Sequence, residues 1–143
     1  MTVGATAAVE FGSQTSGNFL AGLVCNERYL FFRLHFDGAF ETLHSGVQVA
    51  APSREVESAA QKWLGSVMEP GTGLSAAVDL ILQAWWLSAS ASSFSANTPP
   101  VADRQKGWRE GIAGKTVEIG WLQRVPSRAV CYRACSLAEL GLA

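Results

Sequence analysis

VQVAAPSREVESAAQKWLGSVMEPGTGLSAAVDLILQAWWLS (residues 47–88) is the stretch in which the apolar period of the chain changes from two to 3.6. Val47 to Ala50 reads as a short strand. After it, Val56, Ala59, Ala60, Trp63, Leu64, Val67 and Met68 fall on one helical stripe. Glu55 and Glu57 sit where the positive end of a helix favours acids, and Glu69-Pro70-Gly71 ends the helix. A second helix is predicted from about Leu74 to Ser88. Leu74, Val78, Ile81 and Trp85 form its stripe, but Leu80, Leu82, Trp86 and Leu87 lie elsewhere around it. A helix that is apolar nearly all round is buried on more than one side. One side is expected to meet the sheet of the chain itself, the other a neighbouring subunit.

Upstream, the pattern is that of strands. Val3, Ala5, Ala7, Val9 and Phe11 alternate, and a turn-like run from Gly12 to Gly17 follows. Asn18 to Cys25 and Arg28 to Phe36 are aromatic and β-branched runs joined by Asn26-Glu27, which predicts a hairpin. Both faces of the second run are largely apolar, so it is expected to be covered on both sides. Asp37-Gly38 is a tight-turn signal, because glycine accepts the positive φ such turns need. Short runs at Ala39 to Leu43 and Val47 to Ala50 are separated by His44-Ser45-Gly46.

Downstream, residues 88–114 combine a Ser/Ala tract, Pro99-Pro100 and three glycines, and read as a long flexible loop. Strands at Thr116 to Leu122 and Arg128 to Ala134 flank a Pro126 turn. Ser136-Leu137-Ala138-Glu139 has the spacing of a capping box and predicts a short terminal helix. Strands, two helices, two strands and a terminal helix indicate an α+β fold, an antiparallel sheet or sheets covered by a helix pair. The chain divides into an unassigned segment, 1–17, and one domain, 18–143.

Composition narrows the class of function. Charged residues are 16% of the 143, well below the ~25% of an average soluble domain, and 48% are hydrophobic. Such a chain is expected to carry apolar surface that an oligomer or partner covers. With a net charge of -1 and Arg124, Arg128 and Arg133 read as solvated strand positions, nucleic acid is not an expected partner. The N-terminus lacks the basic start and apolar run of a signal peptide, and Leu80 to Leu87 is too short to span a bilayer. A cytoplasmic protein away from the membrane is expected, with Cys25, Cys131 and Cys135 reduced.

Candidate chemistry is sparse. His35, His44, Cys131 and Cys135 are the strong metal ligands beside the carboxylates, but no paired C-x-x-C or H-x-x-x-H spacing supports a site. No G-x-S-x-G elbow exists, and the GSQTSG stretch lacks the following helix a phosphate loop requires. No catalytic residue, metal or cofactor is therefore assigned. Trp63, Trp85 and Trp86 are the candidate interface residues. Adjacent side chains on a helix point about 100° apart, so Trp85 and Trp86 rarely share one core, and tryptophan is enriched among interface hot spots.

FRLHFDGAFE (residues 32–41), where a known family has a strand of the form Y-R-x-x-Y-D-G, begins a resemblance that covers roughly residues 19–142. VQVAAPSREVESAAQKWL (47–64) matches its strand, small-residue turn and helix. LSAAVDLILQAWWLSAS (74–90) matches the long helix after it, and VEIGWLQRVPSRAVCYRACSLAELGL (117–142) its closing strands and Ser-capped terminal helix. In element order and spacing the chain resembles the latter half of a proteasome α-type subunit of the actinobacterial kind. The resemblance implies part of an αββα sandwich, the N-terminal-nucleophile-hydrolase fold. It implies a non-catalytic structural subunit or half-subunit that assembles with its own copies or with other proteasome-type subunits. The earlier half of that fold would come from a partner chain or a second copy, or be missing by truncation.

Catalytic members of the family use an N-terminal threonine whose amine serves as base. Here Thr2 would become terminal on removal of Met1. Counted from Thr2, the positions of the family's Asp and Lys hold Asn18 and Leu34, which replace neither. The expectation is a component without chemistry of its own. The alternatives are a stand-alone interaction module derived from the fold, and an N-terminal-nucleophile hydrolase using Thr2.

Overall fold

In the computed structural model, residues 5–12, 19–24, 31–34, 37–43, 46–51, 53–69, 72–95, 97–125 and 128–142 are described. The strands are β1 (Ala5–Gly12), β2 (Phe19–Val24), β3 (Phe31–Leu34), β4 (Phe40–Leu43), β5 (Gly46–Ala50), β6 (Thr116–Val125) and β7 (Arg128–Cys135). The helices α1 (Arg54–Val67), α2 (Leu74–Leu87) and α3 (Val101–Gly111) lie between β5 and β6. The chain is thus mixed α/β, with antiparallel pairing throughout the described strands.

Five strands form one sheet in the order β5-β2-β1-β6-β7. Its register sets the faces. Val49 lies beside Ala21, Ala21 beside Val9, Val9 beside Ile119 and Ile119 beside Cys135, so the odd-numbered positions make one face. Val47, Val49 and Ile119 on that face are buried. Of their even-numbered neighbours, Gln48 and Ala50 are half-buried, and Glu118 and Ala134 are exposed. Helix α1 packs on β5, α2 packs on β1 and β2, and the two helices pack on each other. The core therefore lies between the odd face and the helix pair.

The helix pair follows from its residues. Ser53 caps α1, its Oγ accepting from the Val56 N–H at 3.5 Å, and Glu57 Oε2 accepts from the Ala51 N–H at 3.2 Å. Ala60, Trp63 and Leu64 of α1 and Met68 just beyond it are buried, while Val67 sits at the rim of the stripe, 36% exposed. In α2, Ala77, Val78, Ile81, Leu82, Gln83, Ala84 and Leu87 are all buried, and they surround the helix. Burying Ile81 and Leu82 alone is worth about 1.5–3 kcal/mol each.

Three sequence expectations are corrected. First, the run at Asn18 to Cys25 does not pair with the run at Arg28 to Phe36. β2 joins β1 and β5, while β3 pairs with β4 in a separate two-stranded sheet. An Asn-Glu loop is poor hairpin chemistry, since both loop residues of the favoured turn need positive φ. The Asp37-Gly38 turn does form: Gly38 has φ +88°, and Asp37 Oδ1 accepts from the Ala39 N–H at 3.0 Å.

Second, residues 88–114 are not one flexible loop. A 3-10 turn at Ala91–Phe94 precedes α3. The Ser/Thr side chains bond the local backbone: Ser95 Oγ donates to Ser92 O at 2.9 Å and Thr98 Oγ1 to Ser93 O at 2.9 Å. Third, the Ser136 cap exists, its Oγ accepting from the Glu139 N–H at 3.2 Å, but the segment closes as turns instead of a helix. Gly141, at φ +71°, ends it at once, and Glu139 pairs with Arg133 instead of returning to the cap.

Candidate functional site

The tryptophans proposed for an interface converge on the helices. Trp63 of α1 is 9% exposed. Its ring lies 5.9 Å from that of Phe94 at 56°, and the Arg104 guanidinium stands 5.5 Å over it. Trp85 and Trp86 of α2 are half-buried. Each meets a glycine of α3. A Cβ built on Gly107 would come within 2.2 Å of Trp86 Cε2, and one on Gly111 within 3.2 Å of Trp85 Cη2. Lys115 Nζ stands 5.8 Å over the Trp85 ring. The outer face of α2, expected to meet a neighbouring subunit, is therefore covered by α3 of the same chain.

Between the two helices lies a polar latch that sequence reasoning did not find. Asp79 of α2 is its hub. The fully buried Trp108 donates from Nε1 to Asp79 Oδ1 at 2.9 Å. Gln83 Nε2 and Gln105 Nε2 both donate to Asp79 Oδ2 at 2.9 Å. Gln83, 1% exposed, accepts at Oε1 from Arg104 Nε at 2.7 Å, and Arg104 Nη1 donates to Pro99 O at 2.6 Å. An indole N–H taken from water needs an acceptor, and a carboxylate is the strongest available. One acid thus fixes α3 on α2 in register and direction. The signal was present in the sequence: Asp79 and Gln83 are four apart on the polar gap of an otherwise apolar helix, and Gln105, Trp108 and Ile112 have helical spacing.

Other candidates are not brought together. Thr2, Asn18, Cys25, His35 and His44 lie outside the described residues. Cys131 and Cys135 share the odd register of β7, and Cys135 is a half-buried free thiol. Among the described residues no three His, Cys, Asp or Glu cluster to hold a metal ion. A cleft of about 420 Å³ between β5 and α1 is lined by Val47, Glu57, Ser58, Gln61 and Lys62. Arg133 is exposed on β7, and its hydrogen bond to Glu139, with the charge of that carboxylate, raises its pKa further. No described helix is long and apolar enough to cross a membrane.

Comparison with protein-family models, curated proteins and solved structures finds no match to this chain.

Proposed function

We propose that this chain is a non-catalytic, proteasome-α-like structural subunit or half-subunit that works in the cytoplasm by assembling with other chains. The observation that carries the reading is that, among the described residues, the helix pair packs on one face of the sheet. Helices α1 and α2 lie on its odd face, while the even-numbered positions described on β5, β6 and β7 are exposed or half-buried. A sheet with helices on one side is half of an αββα sandwich, and the free face is where a second sheet would stack about 10 Å away. The succession β5, α1, α2 and, after α3, β6 and β7 supports the same reading, together with the matched stretches at 32–41, 47–64, 74–90 and 117–142. In this reading the chain supplies packing surface, and peptide-bond chemistry belongs to partners.

One observation favours the stand-alone interaction module instead. The α2 surface that a ring neighbour would be expected to cover is occupied by α3. Native mass spectrometry of the protein expressed alone, and of the protein recovered from its own cells, separates the two readings. A large defined oligomer containing a second chain is the expected result. A lone monomer or dimer from both sources overturns the subunit reading and leaves the module.

A further inference from the structure

The two end strands of the five-stranded sheet differ in how they are guarded. β7 has devices that discourage a further strand: Arg128 and Arg133 stand in it, and its register with β6 slips between Gln123 and Val125. β5, Gly-Val-Gln-Val-Ala, has neither charge nor proline, and among the described residues no strand lies beyond it. In an antiparallel ladder alternate residues bond the neighbouring strand, and those between turn N–H and C=O the other way. Beside β5 runs the cleft of about 420 Å³ that Val47 shares with Glu57, Ser58, Gln61 and Lys62 of α1. These four helical residues fall at i, i+1, i+4 and i+5, so they form one polar strip. Gln61 and Trp63 stand about 200° apart around α1. Trp63 meets Phe94 and Arg104, so the strip lies on the flank turned away from them. Its side chains already serve main chain at this edge: Glu57 Oε2 accepts from the N–H of Ala51, the residue after β5, at 3.2 Å. Lys62 is exposed and is the one cation of the lining.

We propose that the cleft between β5 and α1 is a docking site for an extended segment of another protein, which joins the sheet as a sixth strand and turns an acidic side chain toward Lys62. The backbone of an end strand is matched by extended backbone, because a helix spends its N–H and C=O groups on itself. The strip names the side chain. Ser58, Gln61 and Lys62 all offer donors, whereas the Glu57 carboxylate is turned to the Ala51 N–H. Alternate residues of the added strand face α1, so an acid with a small polar residue two places to either side fits the strip. The five residues of β5 match a segment of about 17 Å. The inference goes beyond the subunit reading and does not rest on it, since it uses only the β5 edge and α1.

The capped pentapeptide Thr-Val-Glu-Val-Thr is the probe, and Thr-Val-Lys-Val-Thr is its charge-reversed control. Titrated to millimolar concentration into the full-length, isotope-labelled chain, the Glu peptide is expected to shift the amide resonances of residues 46–50 and 57–62 and to leave those of 128–135 in place. The wild-type chain is expected to bind it about three- to ten-fold more tightly than the Lys peptide, the range for an exposed ion pair, and Lys62→Glu to reverse that order. Lys62 is exposed, so this substitution leaves the core untouched. Absence of shifts at 46–50 overturns the proposal, as do shifts centred on 128–135. Equal affinity of the wild-type chain for the two peptides, or a preference that Lys62→Glu does not change, overturns it as well.

Discussion

Replacing Gly107 by alanine adds one methyl group at a place where the structure leaves no room for it. The new Cβ would stand 2.2, 2.5 and 2.6 Å from Trp86 Cε2, Cζ2 and Cδ2, atoms of a rigid ring. Ordinary contact at 3.4 Å requires α3 to retreat from α2 by about 1.2 Å. A retreat of that size carries the 2.9 Å bonds from Trp108 and Gln105 to Asp79 past hydrogen-bonding distance, and the Arg104 bond to Gln83 with them. Three bonds at about 1 kcal/mol each are lost, against about 1 kcal/mol gained in helix propensity, so the net destabilisation is about 2 kcal/mol. Gly65 is the matched control, since it lies in α1 with no atom within 4 Å of its would-be Cβ. Gly65→Ala is expected to stabilise by up to about 1 kcal/mol. Thermal unfolding followed by circular dichroism reads both. For a chain of this length the midpoint falls about 4–8 °C in Gly107→Ala and rises about 2–4 °C in Gly65→Ala. A Gly107→Ala protein that melts at or above wild type would refute the packing of α3 on Trp86.

Two further outcomes follow from the helix pair. Asp79→Ala leaves the buried Trp108 indole N–H without its acceptor and is expected to cost about 1–3 kcal/mol in urea unfolding, with a red shift in tryptophan emission as α3 loosens. Ser53→Ala removes the α1 cap, whose bond is long at 3.5 Å, and is expected to cost about 0.5–1 kcal/mol, at the low end for such caps, with native tryptophan emission unchanged.

What the sequence made legible is what a local pattern can carry. The stripe from Val56 to Met68 and the stop at Glu69-Pro70-Gly71 place α1 correctly, and Asp37-Gly38 places its turn. The all-round apolarity of α2 called for cover on more than one side, and cover is there. α3 supplies cover there, and it escaped the sequence reading because it is short, polar and glycine-bearing, with a docking surface written in two missing side chains and in Arg104, Gln105 and Trp108. Pairing was the other failure. Val9 lies against Ile119, 110 residues away, and no periodicity announces such a partner. Trp63, Trp85 and Trp86 stood out in the sequence; their contacts with Phe94, Arg104, Gly111 and Gly107 did not, because those partners lie in the stretch that reads as a flexible loop.

The central place of β1 bears on how the chain is made. β1 bonds β2 on one side and β6 on the other, and β6 is separated from it by three helices and a second hairpin. On a ribosome adding ~5–20 residues per second, the β1–β2 pair waits roughly 5–20 s with one edge open before β6 is synthesised. During that interval the nascent chain presents an unpaired, alanine-rich strand edge, a template for any other extended segment nearby. Efficient production should depend on what shields that edge in the meantime, and slowing synthesis between α2 and β6 should lower the soluble yield of the full-length protein.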